Sequence, residues 1–188
     1  MKAVETDLIS DLLRQSMAQG TSPALRIVSD SMSPLLKTGD KIEIKPVEAS
    51  ALSPGDILLL RGPRDFVTHR YWGTVLTNGQ PGLLTRGDRP FQFDQPWTHD
   101  DVVGKVVARR RKGKSLSLTT GRGNIANQLQ RGLVALEIRW FRHNAPAGSS
   151  LPRTLRLPGW ARGSRAHWLF RKGRHGLALV VSTLFARP

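Results

Sequence analysis

Three residue types in the first half of the chain could together carry out nucleophilic hydrolysis. Ser31 stands in Val28-Ser29-Asp30-Ser31-Met32-Ser33-Pro34, where a strand reading Leu25-Arg26-Ile27-Val28 gives way to a tight turn closed by Gly39-Asp40. Pro34 suits the first position of a short helix, and such a strand-to-helix junction exposes a hydroxyl. His69 lies in the apolar strand Phe66-Val67-Thr68-His69-Arg70, and Asp88 and Asp94 follow Leu84-Thr85-Arg86-Gly87. Serine would supply the nucleophile, imidazole the base that takes its proton, and one aspartate the group that orients the imidazole.

Short strands must position these groups. They are expected at 25 to 29, 41 to 47, 56 to 61, 66 to 72, 82 to 86 and 102 to 109, with Ser115 to Thr119 as a last edge strand. Thr38-Gly39-Asp40, Ser53-Pro54-Gly55-Asp56, Arg61-Gly62-Pro63 and Asn78-Gly79 punctuate them. Lys41-Ile42-Glu43-Ile44-Lys45 alternates between two faces, whereas Ile57-Leu58-Leu59-Leu60 reads as buried on both. Asn78-Gly79 is a hairpin turn signal that pairs 72 to 77 with 82 to 86. Before the strands, Asp7 to Met17 carries apolar residues at 8, 9, 12, 13 and 17, a helix expected to cover one end of the core and to stop at Gly20. After them, Asn124 to Arg142 carries apolar residues at 125, 129, 133, 136 and 140, a second helical stripe edged by arginines. The expected fold is mainly β, a coiled antiparallel sheet or partial barrel with an N-terminal amphipathic helix and a basic C-terminal extension containing a helix. The corresponding divisions are 1–24, 25–119 and 120–188.

Composition narrows the chemistry. The chain has no cysteine, which excludes disulfides, thiol nucleophiles and thiolate metal sites. His99, His143, His167 and His175 show no ligand spacing and no glycine loop is built to cradle phosphate, so neither a metal nor a cofactor is expected. The net charge of +15 is uneven: residues 1–104 hold 11 Lys and Arg against 13 Asp and Glu, whereas residues 105–188 hold 18 against 1. That tail suits a polyanion, an anionic membrane surface or nucleic acid, and Trp140, Trp160 and Trp168 lie among its arginines. A Pro/Gly-rich connector from Ala145 to Trp160 leads to a final apolar stretch, Gly176 to Phe185, which is too short to cross a bilayer by itself.

The ordered set of motifs resembles the signal peptidase and LexA clan of serine peptidases. The likeness rests on Ser29-Asp30-Ser31-Met32-Ser33-Pro34, Gly39-Asp40, Gly55-Asp56 before a hydrophobic strand, His69-Arg70, and Gly87-Asp88 near Val103-Gly104-Lys105-Val106, and covers about residues 25–110. A histidine at the base position is similar to the archaeal and endoplasmic-reticulum branch. The resemblance implies Ser31 as nucleophile, His69 as base, Asp94 as the assisting carboxylate with Asp88 as the turn aspartate, and Ser29 and Met32 at the oxyanion and substrate-binding positions. It also implies a preference for small residues before the cut and departs from typical signal peptidases in lacking an apolar membrane anchor.

The expected function is therefore a serine endopeptidase acting on an extended peptide or precursor. Peripheral contact through the basic tail with the inner face of an anionic membrane is expected, with nucleic acid the less favoured partner. The absence of an export signal points to the cytoplasm. Three alternatives remain: a self-cleaving LexA-like regulator, a catalytically idle binding module of the same fold, and a basic nucleic-acid-binding protein. Ala145-Pro146-Ala147-Gly148 also offers small residues at alternate positions, a candidate site for self-trimming.

Overall fold

The computed structural model describes residues 2–141. The connector, the terminal apolar stretch and the Ala147/Gly148 bond lie outside the described residues. Seven strands and two helices follow in the order α1 (Lys2–Ala18), β1 (Ala24–Arg26), β2 (Lys41–Lys45), β3 (Ile57–Arg61), β4 (Phe66–Thr77), β5 (Gln80–Arg86), β6 (Val102–Arg111), β7 (Lys114–Ser117) and α2 (Gly121–Phe141). The sheet runs β1-β2-β6-β3-β4-β5, with β7 also paired to β6, and every pairing is antiparallel. Register shifts at Glu43/Ile44, Leu59/Leu60 and Tyr71/Gly73 interrupt the ladders. Such irregularities bend strands, and the sheet curls into an antiparallel half-barrel.

The expected mainly β fold is present, with local differences that have physical causes. Residues 66–77 form one strand, and the turn into β5 has positive φ at both Asn78 (52°) and Gly79 (77°), as a two-residue hairpin requires. β1 ends at Arg26, because Ile27 turns its N–H to the Asp40 carbonyl and its own carbonyl to the Gly39 N–H. The segment from Ser31 to Leu35 forms turns in place of the expected short helix. Leu36 N–H closes one bond to Met32 O, but Lys37 N–H is drawn to the Asp40 carboxylate at 2.9 Å, so no helix propagates.

β3 is buried on both faces, as its unbroken apolar run predicts. Ile57 and Leu59 join Met32, Leu36, Ile42, Ile44, Val103 and Val106 on one side, while Leu58 and Leu60 join Tyr71 and Leu83 on the other. Full burial of each such side chain stabilises by roughly 1.5–3 kcal/mol.

Each helix buries a mixed face and leaves part of its apolar stripe exposed. In α1, Thr6, Ser10 and Met17 are buried and Leu13 packs on the core, whereas Leu8, Ile9 and Leu12 are exposed. Polar anchors set this rotation: Asp7 pairs with Arg61 at 2.9 Å, and Arg14 donates to the Val102 carbonyl at 3.2 Å. In α2 the inward residues are Ala126, Gln130, Val134, Glu137 and Ile138, and Ile125, Leu129 and Leu136 face out. Gly123 fixes that rotation, since a Cβ there would run into the Ser117 carbonyl of β7.

Two buried ion pairs join the sheet to its surroundings. Arg70 and Arg86 are direct partners across β4 and β5 and therefore share a face. Arg70 donates to both carboxylate oxygens of Asp88 at 2.7 Å, to the Gly55 carbonyl at 2.8 Å and to Asn127 Oδ1 of α2 at 2.7 Å. Arg86 reaches Glu137 of α2 at 2.6 Å and the Pro90 carbonyl at 2.6 Å, and both side chains of this pair are fully buried. Removing one partner of a buried pair leaves an uncompensated charge. Asp88→Ala should therefore lower unfolding free energy in urea by about 3–5 kcal/mol. Glu43→Ala, at the exposed Arg110–Glu43 contact, should cost under about 1 kcal/mol.

Candidate active site

The turn bearing Ser31 is fastened at both ends. Before it, the exposed Asp30 carboxylate accepts the Thr38 N–H at 3.0 Å. After it, Met32, Leu35 and Leu36 are buried, and the Asp40 carboxylate takes two bonds from Arg111 at 2.7 Å each. Ser31 is half-buried, and its Oγ lies 3.3 Å from Oγ of the exposed Ser29. The loop after β5 closes over the same turn: Arg89 N–H donates to the Ser31 carbonyl at 2.8 Å. Gly87 permits that approach, because a Cβ there would stand 2.9 Å from the Ser31 carbonyl oxygen and 2.8 Å from the Pro90 ring.

His69 sits opposite Leu58 on β4, on the same sheet face as Val67 and Tyr71. Its Nδ1 is 2.6 Å from Asp94 Oδ2, with side-chain exposures of 12% and 21%. A carboxylate only accepts, so Nδ1 carries the hydrogen, and in the neutral ring Nε2 holds the free lone pair that a general base requires. Asp94 is held to the edge of β5 by its N–H, which donates to the Thr85 carbonyl at 2.9 Å; three residues on, Trp97 exchanges backbone bonds of 2.7 and 3.1 Å with Leu83. The Thr85 hydroxyl lies 2.5 Å from Asp94 Oδ2 and accepts from Trp97 Nε1 at 2.9 Å.

The two aspartates thus have separate surroundings: Asp94 meets His69, and both oxygens of Asp88 accept from Arg70 on the opposite face. Thr85 and Trp97 were not among the residues singled out from sequence. The available signal was a hydroxyl in an otherwise apolar strand, Leu83-Leu84-Thr85, whose burial demands a partner.

Ser29, Ser31, Met32 and His69 line one cavity of about 400 Å³, whose walls include Ile42 and Phe66. It is bordered by two strand edges. β1 is outermost in the sheet, and residues 66–69 of β4 precede the point at which β5 begins to pair, at Arg70. Among the described residues, no three His, Cys, Asp or Glu cluster to hold a metal, and no helix is long and apolar enough to cross a membrane. The chain matches no model of a known protein family and no curated protein.

Asp30 gives this turn a pH dependence. The Thr38 N–H, helped by the Arg89 and Lys37 charges, holds the carboxyl below its ordinary 3.8 despite an opposing desolvation. Its contribution to the closed turn is complete above 3.8 and disappears as pH falls through the lowered value. In NMR titrations the Thr38 amide should follow Asp30 with a midpoint below 3.8, and Asp30→Ala should abolish that inflection.

Proposed function

We propose that this chain is a serine endopeptidase in which Ser31 is the nucleophile, His69 the general base and Asp94 the group that orients it. The observation that carries the reading is the Asp94–His69 contact at 2.6 Å on the cavity that Ser31 also lines. Ser31 Oγ attacks a peptide carbonyl while its proton passes to His69 Nε2. Asp94 stabilises the resulting imidazolium without taking the proton itself. The Ser31 N–H and the Ser29 hydroxyl would receive the developing oxyanion, a donor set whose single members are typically worth about 100 to 1,000-fold in rate. The tetrahedral adduct collapses, breaking the C–N bond as His69 returns its proton to the leaving amine. Water, deprotonated by the same imidazole, then releases the acyl group from Ser31. In resting enzymes the nucleophile–base hydrogen bond is often long and tightens only with substrate.

The edges of β1 and early β4, which have no further partner strand among the described residues, support an extended substrate that pairs its backbone with the enzyme and drops alternate side chains into the cleft. Resemblance to signal peptidases and LexA, together with the curled antiparallel sheet, supports that clan and a preference for small residues before the cut. The reading includes docking at the cytoplasmic face of an anionic membrane. It is supported by the outward Ile125, Leu129 and Leu136 of α2, the exposed Arg122 and Arg139 beside them, and the basic sequence that follows.

Cleavage profiling of a diverse peptide library by mass spectrometry tests the reading. The wild-type chain should cut after small residues, and Ser31→Ala and His69→Ala should each lose about 10⁴ to 10⁶ in kcat. The double variant should be no worse than the single ones, because the pair acts as a unit. Cleavage that survives in Ser31→Ala, or no cleavage by the wild type, would sink it. Cosedimentation with phosphatidylglycerol vesicles, but not phosphatidylcholine vesicles, is expected; equal sedimentation with both contradicts the docking.

A further inference from the structure

We infer that Thr85 is a positioning residue of this centre: its hydroxyl, oriented from behind by Trp97, sets Asp94 and through it the tautomer of His69. The directions of the hydrogen bonds carry the argument. An indole N–H can only donate, so Trp97 Nε1 must donate to Thr85 Oγ1 across 2.9 Å. That occupies a lone pair of Thr85 and leaves its own hydrogen for the 2.5 Å contact with Asp94 Oδ2, an oxygen that can only accept. Asp94 Oδ2 thus receives Thr85 O–H and His69 Nδ1–H together. The chain Trp97→Thr85→Asp94←His69 places a hydrogen on Nδ1, so that whenever the ring is neutral Nε2 is the unprotonated nitrogen.

Burial makes the arrangement stiff. Thr85 is 0% exposed, so no water competes for its hydroxyl, and its carbonyl also accepts the Asp94 N–H. Asp94 is consequently held by its backbone and its side chain at one residue. The other ionisable groups around the imidazole are Tyr71 on the same face of β4, and Arg26 of β1 and Asp65 at the cavity. None of these three is hydrogen-bonded to the imidazole, whose polar partner is Asp94.

The consequence for rate rests on the Ser31/His69 reading, whereas the consequence for the imidazole does not. The test is ¹⁵N NMR of the His69 ring in the full chain, at a pH where the ring is neutral, together with kcat and KM on a cleaved peptide. Wild type and Thr85→Ser should hold His69 as the Nδ1–H tautomer. Thr85→Val keeps the shape but lacks the hydrogen, and should show a mixture of tautomers with kcat reduced up to about 100-fold, the scale of a misplaced catalytic group, and KM little changed. Trp97→Phe, which leaves Thr85 in place but frees its lone pair, should weaken the preference in the same direction and decides the matter if Thr85→Val does not fold. An unchanged tautomer in the folded Thr85→Val or Trp97→Phe protein, alongside its loss in Asp94→Ala, overturns the inference. If no peptide is cleaved by any variant, the proposed activity fails while the tautomer still decides the role of Thr85.

Discussion

The doubly hydrogen-bonded pair of Arg70 with Asp88 is the constraint on which the rest of the arrangement depends. Both side chains are fully buried, so neither charge has water to fall back on. Consecutive residues of a strand face opposite sides, and a strand fixed through Arg70 therefore presents His69 the other way. The same pair anchors the start of the loop after β5. From that anchor, Arg89 N–H reaches the Ser31 carbonyl and, five residues later, Asp94 returns to the β5 edge. One electrostatic clamp thus brings together the serine turn, the imidazole strand and the carboxylate loop, although Ser31 and Asp94 are 63 positions apart in the chain.

α2 completes the clamp from outside the sheet. Asn127 gives Arg70 a further acceptor, and Glu137 neutralises Arg86 next to it. Glu137 is also the single acidic residue between positions 105 and 188. Because it is buried against Arg86, the exposed surface of α2 carries cations without anions. The helix therefore has two roles that need different faces: a small and polar face that satisfies buried arginines, and an apolar, basic face left to the exterior.

That division explains which features were legible in the sequence. Asn78-Gly79 announces its hairpin because both residues tolerate positive φ, and Ile57 to Leu60 announces a doubly buried strand because its run has no polar side. The separation of Asp94 from Asp88 was suggested by resemblance, and the geometry supplies its physical basis in Arg70, which takes both Asp88 oxygens. In both helices part of the apolar stripe faces outward: Leu8, Ile9 and Leu12 in α1, and Ile125, Leu129 and Leu136 in α2. Periodicity assigns the apolar stripe to the core, but here ion pairs, carbonyl contacts and the close approach of Gly123 to β7 set the rotation. The Thr85 hydroxyl in an apolar strand signals a buried polar group, but its partner Trp97 lies twelve residues away, and no local pattern names it. The short helix expected at Pro34 failed because the Asp40 carboxylate captured the next N–H.

The central claim is that this scaffold makes Ser31 nucleophilic through His69. Intact-mass and peptide mass spectrometry after exposure to a fluorophosphonate, with the wild-type chain and His69→Ala side by side, tests it most directly. A single adduct on Ser31 is expected, forming readily in the wild type and nearly absent without the imidazole. No adduct on Ser31, or one that forms equally fast in His69→Ala, would contradict it.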